Sequence, residues 1–224
     1  MLKDIAEEFD RWANAGRAED MALGHMSVTH KMLNTVRFDS SMVVCDIGCG
    51  NGWAVREMLS RGAGHGIGID ISPEMIDRAK SKKTSKAEYM VSSASNITKP
   101  NHSIDFILSI ESLYYHPEPS KTLDECFRVL KEGSSMLVMV DLYTESIGTH
   151  AWIDALSLKV HLLSIQEYCE LFKHAGFSKV LFEQMKSDAP IKSRSDFVCN
   201  SYWPSYENYL DYRNKGSLVI TAQK

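Results

Sequence analysis

The stretch that decides the fold runs Met42-Val43-Val44-Cys45-Asp46-Ile47-Gly48-Cys49-Gly50-Asn51-Gly52 in a chain of 224 residues. An apolar run, a glycine-rich turn and a helical pattern from Trp53 to Leu59 are typical of a buried strand that opens into a ligand crevice. The alternate glycines let the backbone approach a ligand closely or adopt a positive φ. The following helix would direct its unpaired N–H groups at the same place. We therefore predict an α/β fold with a ligand bound at this turn.

A second acidic residue, Asp70, ends the next apolar run, Gly66-Ile67-Gly68-Ile69. An acid at the tip of that strand is well positioned to accept hydrogen bonds from both hydroxyls of a ribose. A dinucleotide fingerprint would read Gly-x-Gly-x-x-Gly, but here the third glycine comes one residue early and Asp46 precedes the first. A carboxylate at that position would repel a pyrophosphate and could engage an ammonium group. The pattern therefore favours a ligand with a ribose at one end and an amino-acid amine at the other.

This arrangement, Asp46-Ile47-Gly48-Cys49-Gly50-Asn51-Gly52 followed by Asp70, resembles the first two motifs of class I S-adenosylmethionine (SAM)-dependent methyltransferases. The resemblance spans about residues 40–185. The segment Phe127-Arg128-Val129-Leu130-Lys131-Glu132-Gly133 is similar to the same turn in members that methylate ubiquinone or menaquinone precursors, sterols and small amines. The resemblance implies a Rossmann-like sheet of seven mostly parallel strands, with helices on both faces, a terminal antiparallel hairpin and an N-terminal helical cover. It also implies SAM as cofactor and S-adenosylhomocysteine as product.

The resemblance further implies which residues contact the cofactor. Met75 is positioned to reach back over an adenine. The family usually has an acid for the adenine amino group where this chain has Ser93, whose hydroxyl accepts more weakly, and the N–H of Ala94 can contact the ring. The predicted cofactor-binding residues are Asp46, Gly48, Cys49, Gly50, Asn51, Gly52, Asp70, Ile71, Met75, Ser93, Ala94 and Ile110.

The segment Glu111-Ser112-Leu113-Tyr114-Tyr115-His116-Pro117 follows the predicted fourth strand and should face the methyl group, because central strands end at the crevice. Glu111 or His116 could act as a base, or Glu111 could hold a cationic acceptor. The two tyrosines could face a cation or pack in the core. Asp141, at the end of the next strand, is a further candidate. The predicted catalytic residues are Glu111, Tyr115 and His116.

The function predicted from this pattern is transfer of a methyl group from SAM to a small molecule by in-line displacement. RNA or protein methylation and a non-catalytic SAM-binding module remain alternatives. An NAD-dependent oxidoreductase is less favoured, because the glycine spacing differs and no Tyr-x-x-x-Lys pattern occurs. The acceptor and the methylated atom (N, O, C or S) are not encoded in the motifs.

The composition is that of a globular protein, with 44% apolar and 24% charged residues. The net charge of −4 predicts no bulk attraction to nucleic acid or to an anionic membrane, and the basic stretch Lys80–Lys86 is interpreted as solvated surface. Five scattered cysteines without a C-x-x-C pair predict reduced thiols. No signal peptide, membrane-length apolar run or metal-ligand motif is found in the sequence. We expect a cytoplasmic monomer or homodimer without a metal.

We expect one domain over residues 1–224. Residues 1–38 are predicted to form a cover of two helices, separated by a turn at Asn14–Arg17, with a second break at Gly24-His25. Residues 142–163 and 186–215 are predicted to be insertions that shape the acceptor pocket, the first of them irregular. A helix over Ser120–Lys131 is predicted to stop at Gly133.

Overall fold

The computed structural model describes residues 2–82 and 84–224; Met1 of the predicted cover and Lys83 of the predicted basic stretch lie outside the described residues. The strands are β1 (Val43–Ile47), β2 (His65–Asp70), β3 (Ala87–Val91), β4 (Ile104–Ile110), β5 (Leu130–Val140), β6 (Lys179–Met185) and β7 (Ser217–Gln223). They form one sheet in the order β3-β2-β1-β4-β5-β7-β6. Strand β7 runs antiparallel to β5 and β6, and the other pairs are parallel. The predicted fold class is confirmed.

The helices are α1 (Leu2–Asn14), α2 (Arg17–Leu33), α3 (Trp53–Ser60), α4 (Pro73–Ser81), α5 (Pro119–Val129), α6 (Ala151–Ala155), α7 (Ile165–His174) and α8 (Tyr206–Lys215). Short 3-10 turns lie at Leu113–Tyr115 and Ile147–Thr149. Strand β1 lies between β2 and β4, and Val44, Cys45 and Ile47 are fully buried. Its continuous apolar run follows from burial on both faces of the sheet.

The N-terminal cover is docked on the sheet layer through α1. Asp10 accepts hydrogen bonds from the hydroxyl of Ser72 and from the backbone N–H of Glu74, at the start of α4. Gly16, with φ 76°, makes the predicted turn between α1 and α2. These contacts fix the cover over the carboxyl ends of the strands.

The predicted break at Gly24-His25 is wrong, because α2 continues through both residues to Leu33. A glycine costs a helix only about 1 kcal/mol relative to alanine. Burial of Ala22 and Val28 on either side of it offsets that cost.

Two further expectations need correction. The predicted helix Ser120–Lys131 begins at Pro119 and ends at Val129, because Leu130 already pairs with Ile104 at the start of β5. Gly133, expected as the helix stop, lies inside that strand with φ 74°. The predicted insertion 142–163 is not wholly irregular, since it contains α6 and a 3-10 turn.

Candidate active site

A cleft lies between the carboxyl edge of the sheet and the helical cover. All the predicted cofactor residues except Gly52 line this cleft. The three predicted catalytic residues, Glu111, Tyr115 and His116, line it too. The structure therefore brings together two sets of residues that are separated by up to seventy positions in the sequence.

The glycine loop forms the floor of the cleft. The N–H groups of Gly48 and Cys49 both donate to the carbonyl of Ile69, at 2.8 and 3.0 Å, which ties the loop to β2. Gly48 has φ 72°, and a Cβ there would overlap the side chain of Ser112. A Cβ on Gly50, with φ 50°, would meet only the sulfur of Met75, at 3.9 Å. Gly50 therefore leaves open space in which a ligand can approach the backbone.

Two residues of the loop, Gly52 and Asn51, make contacts that stabilise the fold. Gly52, which does not line the cleft, caps α3 with φ 73°, and a Cβ there would overlap the ring of Tyr89. The Asn51 side chain donates to the carbonyl of Ala18 at 3.4 Å and accepts from the N–H of Trp53 at 3.2 Å. Asn51 thus joins the loop to the cover. Burial raises the pKa of the Cys49 thiol well above its usual value, so a thiolate nucleophile is disfavoured there.

Asp46 lies at the end of β1 and is 2% exposed. Burial, and secondarily the charge of Asp70, raise the pKa of this carboxyl well above its ordinary value. Its Oδ1 atom has no hydrogen-bond partner within residues 2–82 and 84–224. A buried carboxylate in this state is stabilised by a ligand that brings a positive charge or a donor.

Asp70 ends β2 and faces the glycine loop. Its Oδ2 accepts the N–H of Gly50 at 2.8 Å, and its Oδ1 accepts the N–H of Ser72 at 2.9 Å. Burial raises the pKa of Asp70, while these backbone donors lower it. Each carboxylate oxygen carries a second lone pair, so Asp70 can still accept hydrogen bonds from a ligand's hydroxyls.

Met75, Ser93 and Ala94 also line the cleft. Met75 is 1% exposed, and its N–H donates to the hydroxyl of Ser72, which caps α4. The Ser93 hydroxyl bonds with the hydroxyl of Ser95 at 2.8 Å. This local bond occupies part of the hydrogen-bonding capacity that Ser93 could offer to a ligand.

Glu111 and Asp141 form a pair of adjacent acids at the ends of β4 and β5. The backbone N–H of Asp141 donates to Oε1 of Glu111, and the hydroxyl of Tyr114 donates to Oε2 at 2.7 Å. Glu111 has φ 52°, a conformation that non-glycine residues rarely adopt. Burial, and then the charge of Asp141, raise the pKa of Glu111 well above its ordinary value.

His116 is held on both ring nitrogens. Nε2 lies 2.8 Å from the hydroxyl oxygen of Ser112, and Nδ1 lies 3.0 Å from that of Thr122. Burial, with a smaller effect of His161, lowers the pKa of His116 to about 4. The imidazole is therefore neutral at physiological pH, and its nitrogens are already engaged, so it is better suited to positioning the loop than to accepting a proton.

The two tyrosines take the packed arrangement, and Tyr115 also lines the cleft. The rings of Tyr114 and Tyr115 lie 4.4 Å apart, and Phe9 of the cover contacts Tyr115 edge to face at 5.0 Å. Tyr115 and Phe9 line the cleft. Burial raises the pKa of Tyr115 above its ordinary value, so its phenol stays protonated.

Sequence reasoning missed two contributors to the site. His25 lines the cleft, and its Nδ1 lies 3.7 Å from Oδ2 of Asp141. Tyr212, on α8, donates to the same oxygen at 2.9 Å. The apolar face of α1 was the available signal for the cover, but no local pattern links α2 or α8 to β5.

Within residues 2–82 and 84–224, no group of three or more His, Cys, Asp or Glu side chains could hold a metal ion. Among the helices described there, none combines the length and the apolar character needed to cross a bilayer.

The residues present fit SAM. The unpartnered Oδ1 of Asp46 suits the cofactor's ammonium group, and the open space at Gly50 permits close approach to the backbone. Asp70 retains acceptor capacity for ribose hydroxyls at the end of β2.

Known proteins with similar sequences are methyltransferases. The family described as "Methyltransferase domain" matches residues 45–138. Phosphoethanolamine N-methyltransferase 1 of Zea mays is 24% identical over 207 residues, covering 85% of this chain and 41% of the maize protein. Sterol 24-C-methyltransferase erg-4 of Neurospora crassa is 25% identical over 215 residues, covering 87% and 55%. The chain spans about half the length of these curated relatives.

A solved structure matches over nearly the whole chain. It is a chain of the complex between the Haloferax volcanii Trm112 methyltransferase activator and a methyltransferase, with a TM-score of 0.89 and 30% identity. The match covers 96% of this chain and 97% of that one. Together with the geometry of the cleft, these similarities establish that the chain belongs to the class I SAM-dependent methyltransferase family.

Proposed function

We propose that this protein transfers a methyl group from SAM to a small-molecule acceptor and releases S-adenosylhomocysteine. The observation that carries the proposal is the shared cleft. Asp46 and Asp70 line the same cleft as Glu111 and Tyr115. One cavity can therefore hold the cofactor and an acceptor side by side. Such an arrangement supplies the alignment that an in-line displacement requires.

The roles of the chain's own residues follow from their contacts. Asp46 would hold the cofactor's ammonium group and Asp70 its ribose hydroxyls, at a loop whose Gly50 leaves room for the ligand. When bound, SAM supplies a methyl carbon that is activated by a positively charged sulfur. The cover excludes water through Phe9 and Ala18, which line the cleft from above the sheet.

The small-molecule acceptor is supported by the way the cleft is enclosed. Helices α1 and α2 cover it, and the segments 142–163 and 186–215 pack on each other beside Asp141. Trp152 and Trp203, one from each segment, contact at 5.1 Å, and Gly148 donates to Asp211 at 2.8 Å. We infer that the two insertions shape the acceptor pocket of a single domain. The names of the two curated relatives describe methylation of phosphoethanolamine and of a sterol.

The cofactor is tested first by isothermal titration calorimetry. S-adenosylhomocysteine should bind, and NAD should not. Methyl-labelled SAM is then incubated with the protein and a cell extract that is divided into metabolite, RNA and protein fractions. Label in the metabolite fraction alone supports the proposal. Label in RNA or protein would contradict the acceptor class and leave the cofactor assignment intact.

A protein partner is a second proposal, and the Haloferax volcanii similarity supports it. The matching chain belongs to a complex with the Trm112 methyltransferase activator. We infer that this chain also associates with a Trm112-type activator. Co-expression with the Trm112 homologue of the same organism tests this, since the two proteins should elute together in size-exclusion chromatography. Separate elution at micromolar concentration would contradict it.

The free, mostly buried cysteines support a reducing compartment such as the cytoplasm.

A further inference from the structure

We propose that the acceptor is a cationic amine whose ammonium group is bound by Glu111, with Asp141 supplying a second negative charge directly behind it. The inference rests on the proposed function, because it names the substrate class of the same cleft. It starts from two acids, at the ends of β4 and β5, that the cofactor residues do not use.

The two acids are in direct contact and have only neutral donors. Glu111 lines the cleft, whereas the Asp141 side chain is 1% exposed. Glu111 accepts from the backbone N–H of Asp141 and from the hydroxyl of Tyr114, and Asp141 accepts from the hydroxyl of Tyr212. These bonds orient the two carboxyl groups but bring no positive charge to them. Burial, and then the charge of Asp141, raise the pKa of Glu111, and a bound ammonium group would favour its ionised form.

Among the described side chains, none supplies the missing positive charge. Over residues 2–82 and 84–224, neither Glu111 nor Asp141 forms an ion pair with a lysine or an arginine. His25 lies 3.7 Å from Asp141, but burial lowers the pKa of its imidazole, against the smaller opposing effect of Asp141. His25 is therefore neutral at physiological pH. Desolvated carboxylates without a counter-charge are costly, and a bound cation removes that cost.

Two unpartnered polar atoms belong to this pair of acids or are affected by its charge. Oδ1 of Asp141 and the hydroxyl of Tyr168 are buried and lack hydrogen-bond partners among the described residues. The pKa of Tyr168 is raised by burial and then by the charge of Glu111, so its hydroxyl lies in the field of that carboxylate. Buried polar groups are normally satisfied in native proteins, which indicates that a polar ligand completes this cluster.

The aromatic walls suit the same ligand. Tyr115 and Phe9 line the cleft, and their rings contact each other at 5.0 Å. An ammonium group gains from contact with an aromatic face. A phosphate or carboxylate of the acceptor at this point would be repelled by Glu111.

The chemical step balances with these residues. Glu111 takes one proton from the acceptor's ammonium group and becomes neutral. The freed nitrogen lone pair forms the new N–C bond while the C–S bond breaks and its electron pair stays on sulfur. The products are a methylated ammonium ion, a neutral thioether and a protonated carboxyl. Glu111 therefore serves as binding group and as base, and Asp141 acts through it as a positioning residue.

The charge of the product tests the proposal. Protein, methyl-labelled SAM and the metabolite fraction of a cell extract are incubated, and the labelled product is separated from residual cofactor. Capillary electrophoresis at about pH 2, where carboxylic acids are protonated and amines charged, should send it toward the cathode. A labelled metabolite that does not migrate would overturn the amine assignment and leave the proposed function standing. Label found only in RNA or protein, or nowhere despite binding of S-adenosylhomocysteine, would overturn the proposed function and the amine with it.

Single substitutions then test the role of Glu111, with the amine identified by the labelling experiment as substrate. Glu111→Gln should raise KM by about 10- to 100-fold, the loss expected for a charge-assisted contact, while the Kd for S-adenosylhomocysteine stays within about twofold. Glu118→Gln, the same change at an exposed position seven residues on, is the matched control and should leave KM unchanged. Equal KM values for Glu111→Gln and wild type would contradict the assignment. If Glu111→Gln does not fold, Asp141→Asn provides the second variant. The charge of the product formed by the wild type still decides whether the acceptor is an amine.

Discussion

The hydroxyl of Tyr212 donates a hydrogen bond of 2.9 Å to Oδ2 of Asp141, which joins helix α8 to the end of β5. Tyr212 comes from the second insertion, and Asp141 comes from the centre of the sheet. Burial, and then the charge of Asp141, raise the pKa of Tyr212, so the phenol remains a donor at every physiological pH. The last helix of the chain therefore helps to orient an acid that stands directly behind the cleft.

Tyr212→Phe should destabilise the protein by about 1–3 kcal/mol, because it leaves a buried carboxylate oxygen without its donor. The free energy of unfolding in urea measures this loss. Affinity for S-adenosylhomocysteine should change less than about twofold, since Tyr212 is not among the residues that line the cleft in the described structure.

Tyr206→Phe on the same helix is the matched control. Its hydroxyl donates to the carbonyl of Lys192 at 3.0 Å on the exposed surface, so its removal should cost less than about 0.5 kcal/mol. An equal loss in the two variants would mean that the contact with Asp141 contributes nothing specific.

Gly48→Ala should abolish measurable binding of S-adenosylhomocysteine and lower the free energy of unfolding by about 1–3 kcal/mol. The residue has φ 72°, and the added Cβ would overlap the Ser112 side chain, which bonds to His116. Calorimetry and urea unfolding measure the two effects.

Gly24→Ala controls for the substitution itself. Gly24 lies within α2, and a Cβ there would meet nothing within 4 Å. Stability should therefore rise by about 0.5–1 kcal/mol, since alanine is the better helix former. If both glycine variants behaved alike, the loop geometry would not be what Gly48 maintains.

Asp46→Asn should weaken binding of S-adenosylhomocysteine by about tenfold while it stabilises the ligand-free protein at neutral pH. Burial raises the pKa of Asp46 above its value in the unfolded chain, 3.8. At this carboxyl the folded state thus binds more protons than the unfolded one, and the contribution of Asp46 to wild-type stability falls as pH rises above about 4. The stabilisation by Asn should therefore disappear below about pH 4.

The matched control is Asp77→Asn, at an exposed position on α4. It should change neither the affinity for S-adenosylhomocysteine nor the stability. Calorimetry with S-adenosylhomocysteine and urea unfolding across pH give both quantities. A less stable Asp46→Asn protein at neutral pH would refute the interpretation of this carboxylate as a desolvated group that awaits a ligand.

The grouping of the proposed cofactor residues in one cleft could be predicted from sequence because these residues are local. Asp46 and the glycines are adjacent in the chain, and Asp70 ends the neighbouring strand, so the pairing of β1 with β2 brings them together. Residue type is decisive there, since Gly48 combines a positive φ with a position where a Cβ would overlap the side chain of Ser112.

The proposed acceptor half of the cleft depends on long-range packing. His25 and Tyr212 contact Asp141 from distant parts of the sequence, and neither residue lies in a motif.

Long-range packing also explains why two predicted helix boundaries are wrong. Burial of Ala22 and Val28 carries α2 through Gly24, and pairing of Leu130 with Ile104 ends α5 before Gly133. Tertiary contacts, which no local pattern contains, override the local signal in each case.

His116 should make the protein lose stability as pH falls from about 6.5 to about 4. Burial lowers the pKa of the folded imidazole to about 4 from its ordinary 6.5, so in this window the unfolded chain binds the proton and the folded one does not. The stability that neutral His116 contributes is complete above pH 6.5 and is lost by up to about 3 kcal/mol across the window. His25, whose pKa burial also lowers, contributes in the same direction, so the difference between wild type and His116→Gln is the quantity to measure. Urea unfolding at a series of pH values should give a flatter dependence for His116→Gln, with exposed His174→Gln as the matched control. Parallel curves for His116→Gln and wild type would mean that the imidazole takes up a proton as easily in the fold as in the unfolded chain, and would restore His116 as a candidate base.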